Sequence, residues 1–345
     1  MSVDSSQGSA EVSILENLTL DYRKLGFGRN PFESIPVFSD LQPVPFNGYL
    51  RYYLNRLSSI VFNATASRPV CIYLIGPPGS GKSAILRALS RIPYPRGKVF
   101  PIHTRFPLAG GRLAFYNEFL RRLPIPLLKL LFYYARNNYL TMTRTYIGAK
   151  LYWASTCEEP WKSLERMKIS PQYMVESISD LISIILDLTD NNRIALILDE
   201  FEHAWARFTG AQKYNWEKTI VELLLKLGSK LVLVLPVLPQ SVAFGSRPYL
   251  DMYDWKGIDL DLILKATNSN TVEINCTQTA LKNCIYSILR REILNKQGEY
   301  TCKTLLNSIS KYATIGEAIT DLRGRILMMA YRGRSWEACA DYGDK

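Results

Sequence analysis

The sequence is poor in the residues that usually build metal sites. Its 345 residues include two histidines, His103 and His203, and six cysteines at positions 71, 157, 276, 284, 302 and 339. No cysteine pair has C-x-x-C spacing, so neither a zinc site nor a disulfide framework is implied, and a reducing, cytoplasmic setting is expected. No run of about 20 apolar residues occurs, so no segment reads as a membrane span. The most apolar stretch, Leu123 to Leu140, is interrupted by Pro124, Pro126, Lys129 and Arg136 and reads as a buried helix. Met1 to Val12 is small and polar, is expected to be loose, and reads as neither a signal peptide nor an anchor. Internal repeats are absent. One segment also lacks acid. Between Arg87 and Lys150, twelve Lys and Arg accompany a single acidic residue, Glu118, which accounts for the whole net charge of +11. A charge excess placed this way points to an anionic polymer as partner.

Against these absences stands one complete motif, Gly76-Pro77-Pro78-Gly79-Ser80-Gly81-Lys82-Ser83, which fits G-x-x-x-x-G-K-[ST]. Its flanks fit as well. Val70 to Ile75 is a short apolar run of strand formers, and the segment from Lys82 to Arg91, ahead of Pro93, reads as a helix. A strand, a glycine turn and a helix start cradle phosphate, because successive backbone N–H groups point inward and the helix N-terminus carries partial positive charge. Lys82 is placed to reach the terminal phosphates, and the Ser83 hydroxyl to ligate magnesium. The candidate nucleotide-binding positions are Gly76, Pro77, Pro78, Gly79, Ser80, Gly81, Lys82, Ser83 and Ala84.

The rest of the chain alternates strands and helices, which predicts an α/β parallel sheet. Residues 47–64 have an amphipathic helical pattern, with Leu50, Tyr53, Leu54, Leu57, Ile60 and Val61 on one face. Lys98 to His103 reads as a strand, held to an edge by Pro101. A mostly helical insertion over about 104–169 follows, and Ser170-Pro171 looks like a cap and first position of the next helix. Ile194 to Leu198 and Leu231 to Leu235 are continuous apolar runs, as expected of strands buried on both faces. A helix over about 211–227 lies between them, and Thr271 to Asn275 reads as a last short strand. From Cys276 onward the pattern is helical. Its clearest helix, 315–331, starts at a Thr314/Glu317 capping box. The chain thus reads as a loose N-terminus (1–12), a phosphate-loop α/β domain (13–275) and a C-terminal helical lid domain (276–345).

The strand Ile194 to Leu198 runs into Asp199-Glu200. A nucleotide hydrolase needs one carboxylate near the metal and one to orient the attacking water, roles that suit Asp199 and Glu200 respectively. The C-terminal end of such a strand opens on the crevice where open α/β sheets bind ligands. The neighbouring Glu202 and His203 read as solvated turn residues.

The phosphate loop, the apolar strand ending in Asp-Glu and the helical C-terminal module together resemble an AAA+ (ASCE P-loop) ATPase. Gly26-Phe27-Gly28-Arg29-Asn30-Pro31-Phe32, followed by a helix and then the loop, resembles the ExeA-type and transposition-regulator ATPases, with archaeal origin-initiator ATPases as cousins. The likeness covers about residues 20–335, and its specific motifs are the two nucleotide signatures. It implies a magnesium-dependent ATPase with ATP between sheet and lid, the GFGRNPF stretch near the adenine, homo-oligomers, and turnover that switches subunit contacts and the grip on DNA. It also implies an arginine reaching the next subunit's γ-phosphate. Arg247 is the sole arginine between residues 208 and 289, and is either that finger or an exposed turn residue. Two departures bear on turnover. The strand after Asp-Glu continues as Leu235-Pro236-Val237-Leu238-Pro239, with Gln240 and Ser241 as its first polar residues, where relatives carry a γ-phosphate sensor. The family's arginine turn before the lid helix is missing as well, leaving Arg323 or Arg325 to substitute.

The basic 87–150 segment carries many aromatics, among them Tyr94, Phe106, Phe115, Tyr116, Phe119, Phe132, Tyr133, Tyr134, Tyr139 and Tyr146. Exposed, they would stack on bases while arginines neutralise phosphates; buried, they would be core with a solvated basic rim. DNA is the favoured partner. The alternatives are a secretion or assembly ATPase whose basic surface meets an acidic protein or lipid headgroups, and an ATP-loaded scaffold with little hydrolysis. A signalling ATPase of the STAND kind fits less well, because repeats are absent.

Overall fold

The computed structural model describes residues 22–32, 48–63, 68–92, 98–107, 111–166, 170–238, 261–275 and 277–332. The chain divides into two compact units: one of residues 50–77 and 82–274, the other of residues 1–49, 78–81 and 275–345.

The first unit is built on a parallel sheet of five strands in the order β2-β3-β4-β1-β5. The strands are β1 (Val70–Ile75), β2 (Val99–Arg105), β3 (Arg193–Asp199), β4 (Leu231–Val237) and β5 (Asn268–Glu273). Residue type explains the order. β4 is buried along its whole length and β3 at every residue after Arg193, and these Leu-, Ile- and Val-rich runs hold central positions. β2 contains Pro101, which cannot donate to a ladder, and lies at one edge. β5, largely exposed and polar, forms the other edge. Ile72, Leu74, Leu196 and Val234 are fully buried, each side chain contributing roughly 1.5–3 kcal/mol. The fold class read from the sequence, a parallel phosphate-loop sheet flanked by helices with a C-terminal helical module, is the observed one.

Between β2 and β3 the chain forms short helices at Arg112–Arg121, Ile125–Asn137, Tyr139–Met142, Tyr146–Ser155 and Pro160–Arg166. Phe115, Phe119, Leu131, Ile147 and Leu151 turn inward onto the core beneath the sheet. The helix expected to begin at Ser170-Pro171 starts later, at Met174, after a 3-10 turn at Pro171–Tyr173, and the Ser170 side chain makes no capping hydrogen bond. Gly210–Leu227 has a complete capping box, in which Thr209 accepts from the Gln212 N–H while the Gln212 side chain accepts from the Thr209 N–H. From this helix the buried Glu217 carboxylate accepts the N–H groups of Leu262 (2.7 Å) and Ile263 (3.2 Å), which pins the start of the helix Asp261–Ala266.

The second unit is helical, with helices at Gln278–Leu289, Lys296–Asn307 and Ile315–Arg332. The last buries Ile315, Ile319, Leu322, Ile326 and Met329 as one stripe. Thr314 Oγ1 accepts the Glu317 N–H (3.2 Å), and the Glu317 carboxylate accepts the N–H of Ala313 (3.0 Å), one residue earlier than a strict capping box requires. The Tyr312 hydroxyl donates to the Asp321 carboxylate across the start of this helix.

The Tyr22–Phe32 stretch belongs to this helical unit. Phe27 forms an antiparallel bridge with Ile293, the Gly28 N–H donates to the Glu292 carbonyl (2.9 Å), and the Leu294 N–H donates to the Gly26 carbonyl (2.8 Å). Arg29 pairs with Glu292 at 3.0 Å, while Phe27 and Phe32 are fully buried. Gly26 has φ +78°, and a Cβ there would overlap the Gly298 backbone, so this crossing admits glycine alone. Residues Pro78–Gly81 also fall in this unit, where the Gly79 carbonyl accepts the Gly316 N–H at 2.9 Å.

Candidate functional site

The phosphate loop leaves the sheet where β1 ends. The Gly76 N–H donates to the Val237 carbonyl of β4 (3.2 Å), and the Ile75 carbonyl accepts from Ile274 (2.7 Å), so the strand end is fixed from both sides. Gly79 (φ +76°) and Gly81 (φ +96°) turn the chain into the helix Lys82–Leu89, whose first N–H groups have no partner within the helix. Ser80 is fully buried and its hydroxyl has no hydrogen-bond partner, as fits a loop built around a polar ligand.

Lys82 is 5% exposed. Its ammonium donates to the carbonyls of Gly76 (2.6 Å) and Pro77 (3.1 Å) and lies 3.4 Å from Glu202 Oε1. Burial pushes its pKa below the ordinary lysine value, against the opposing pull of Glu202 and Asp199. Ser83 follows on the helix, and its hydroxyl donates to Asp199 Oδ1 at 2.8 Å, across 116 residues of sequence. Ala84 packs in the same first turn.

Asp199 closes β3 and is 1% exposed. Its Oδ1 also accepts the Glu200 N–H (3.0 Å), and its Oδ2 lies 3.2 Å from His103 Nε2. Burial alone would push this carboxyl up. The hydrogen bond and charge of His103, the Ser83 hydroxyl and the Glu200 N–H outweigh it and hold the carboxyl below its usual range. Glu200 is left-handed at φ 61°, an unusual backbone state for a residue with a Cβ, costing roughly 1–3 kcal/mol. This turn carries the chain straight from β3 into the helix Phe201–Arg207. The Glu200 side chain is 29% exposed, and Oε1 lies 3.5 Å from Arg105 Nε.

Glu202 requires a correction. It reads as a solvated turn residue in sequence, yet is buried beside Lys82, because the left-handed Glu200 leaves no loop between strand and helix. Its Oε2 is buried without a hydrogen-bond partner. His203 is exposed, as expected. His103 and Arg105 carry no motif that marks them in the sequence as neighbours of the acid pair. The parallel register sets Arg105 opposite Asp199, and His103, two residues earlier, shares its face. A polar pair with strand spacing at the end of a predicted strand is the one local signal that could have identified them.

Arg247, Gln240 and Ser241 lie outside the described residues. Of the two candidate substitutes on the last helix, Arg325 is tied to Asp321 by an ion pair of 2.6 Å one turn away. In the basic segment, Phe106, Phe115, Tyr116 and Phe119 are core residues, and Phe132 and Tyr134 pack against the core. Tyr133, Tyr139 and Tyr146 remain exposed, while Tyr94 lies outside the described residues. Burial therefore accounts for most of the aromatics, leaving three as candidates for stacking. Among the described residues no helix is long and apolar enough to cross a membrane.

No protein-family model matches the sequence, and no curated protein does. Several solved structures are similar to the chain. They include the ORC2 protein of Aeropyrum pernix in its ADPNP–ADP complexes, with 13% identity over 88% of this chain and 68% of that one at a TM-score of 0.46. Cdc6p from Pyrobaculum aerophilum shares 14% identity over 86% of this chain and 66% of its own, at a TM-score of 0.43. Drosophila ORC bound to GC-rich DNA and Cdc6 shares 13% identity at a TM-score of 0.40. The chain spans about two thirds of the length of the first two and 38% of the third. The likeness is one of chain path.

Proposed function

We propose that the protein is a magnesium-dependent ATPase of the AAA+ type that assembles with copies of itself and acts on DNA. The observation that carries the reading is the 2.8 Å hydrogen bond between Ser83 and Asp199, which joins the phosphate loop to the acidic strand end. A hydroxyl and a carboxylate are hard oxygen donors, suited to magnesium, which takes few protein ligands and fills its shell with water and phosphate. Bound magnesium would neutralise charge on the phosphate oxygens.

The chain's own residues supply the rest. Loop N–H groups and the helix start hold phosphate, and Lys82 adds a localised positive charge. Glu200, at the crevice end of β3, orients water and accepts its proton, while Arg105 sits close enough to fix the orientation of its carboxylate. Arg247 is the proposed contributor to a neighbouring subunit's site. DNA is supported by the charge excess of the 87–150 segment and by Tyr133, Tyr139 and Tyr146 at its surface.

Phosphate release by purified protein tests the reading. Glu200→Gln should cut turnover by at least about a hundredfold while leaving nucleotide affinity near wild type, and Lys82→Ala should abolish turnover and weaken binding to what the loop N–H groups alone provide. Wild type that binds nucleotide yet turns over no faster than Glu200→Gln would be an ATP-loaded scaffold instead.

A further inference from the structure

The Lys82 ammonium has three hydrogens to donate, and three protein acceptors surround it: the Gly76 and Pro77 carbonyls and Glu202 Oε1. It reaches a phosphate only by giving one of them up. The two carbonyl contacts belong to the loop that carries the phosphate and are the shorter, at 2.6 and 3.1 Å. Glu202 stands at 3.4 Å, comes from a different element, and is an anion competing with phosphate for the same cation. Both side chains are nearly inaccessible, at 5% and 6%, so solvent screens the competition little. Among the described residues the buried Oε2 has no hydrogen-bond partner, so Glu202 depends on Lys82 to offset its charge.

From this geometry we infer that Glu202 is a positioning residue that sets nucleotide affinity by competing with phosphate for Lys82. The inference rests on nucleotide binding at the loop. Loading a di- or triphosphate transfers the ammonium from carboxylate to phosphate and leaves Glu202 uncompensated, an opposing cost built into every binding event. A ligand without phosphate asks nothing of Lys82 and escapes that cost.

The test is calorimetric titration with ADP, with a non-hydrolysable ATP analogue and with adenosine, on wild type, Glu202→Gln and Glu202→Asp. Glu202→Gln keeps the shape and removes the charge, so it should bind ADP and the ATP analogue roughly tenfold more tightly, with adenosine unchanged. Glu202→Asp keeps the charge but draws it back by one methylene, and should fall between Gln and wild type. On a Lys82→Met background the gain should vanish, since the effect passes through the ammonium. Equal or weaker ADP binding by both Glu202 variants, or a gain that survives Lys82→Met, overturns the inference while leaving nucleotide binding intact. A wild type that takes up no nucleotide overturns both. A purely structural Glu202 would lower thermal stability without a shift in affinity that depends on phosphate number.

Discussion

At the scale of single residues, Asp199 is where opposing effects can be weighed. Its burial favours the neutral acid, yet three donors hold the carboxylate charged and keep its pKa below the ordinary value near 3.9. A group whose folded pKa is depressed adds stability that is fully present above the unfolded value and disappears as pH falls through the folded one. The difference in melting temperature between wild type and Asp199→Asn should therefore be constant from neutral pH down to about 5 and close progressively toward pH 3, as read by thermal denaturation across that range. A gap that widens on acidification would mean that the three donors do not stabilise the charged form. The left-handed Glu200 beside it shows a second residue-scale effect. A strained backbone joins strand to helix without a loop, and that junction is what buries Glu202.

At the scale of elements, the N-terminal stretch and the C-terminal helices form one structure. Arg29 and Glu292, 263 residues apart, share an ion pair, and backbone hydrogen bonds run on either side of it. Exposed ion pairs contribute little, so the Phe27 and Phe32 burial and the glycine crossing hold this arrangement. Gly26→Ala meets the Gly298 backbone at a positive φ and should cost roughly 3 kcal/mol or more. Arg29→Ala should cost under about 1 kcal/mol. Chemical denaturation of both variants checks the ranking, and equal losses would show that the ion pair, not the crossing, holds the stretch in place.

At the scale of the whole molecule, charge is the organising quantity. The segment from Arg87 to Lys150 carries the entire excess of +11, and the helix Ile125–Asn137 within it presents Lys129, Tyr133 and Arg136 to solvent. If phosphates meet this face, the Lys129→Glu/Arg136→Glu double variant should weaken duplex binding and reduce the slope of log affinity against log salt by about 2, as two released counterions require. An unchanged slope, measured by titration at several salt concentrations, would remove this helix from the DNA-binding surface. Of the aromatics in this segment, Phe106, Phe115, Tyr116 and Phe119 are core residues and Phe132 and Tyr134 pack against the core, since a segment this rich in Phe and Tyr has first to bury its own helices.

The sequence by itself determined the phosphate loop with its flanking strand and helix, the central strands and the location of the charge, because each is a local pattern of residue type and spacing. Even Pro101 marked the sheet's edge without help. The tertiary structure decided which distant groups meet: Ser83 with Asp199, Lys82 with Glu202, Arg105 and His103 with the acid pair, and Tyr22–Phe32 with the helices near residue 293. Periodicity reports what one segment buries. Register and packing depend on partners that can lie hundreds of residues away, so a local pattern nominates such groups without fixing their contacts.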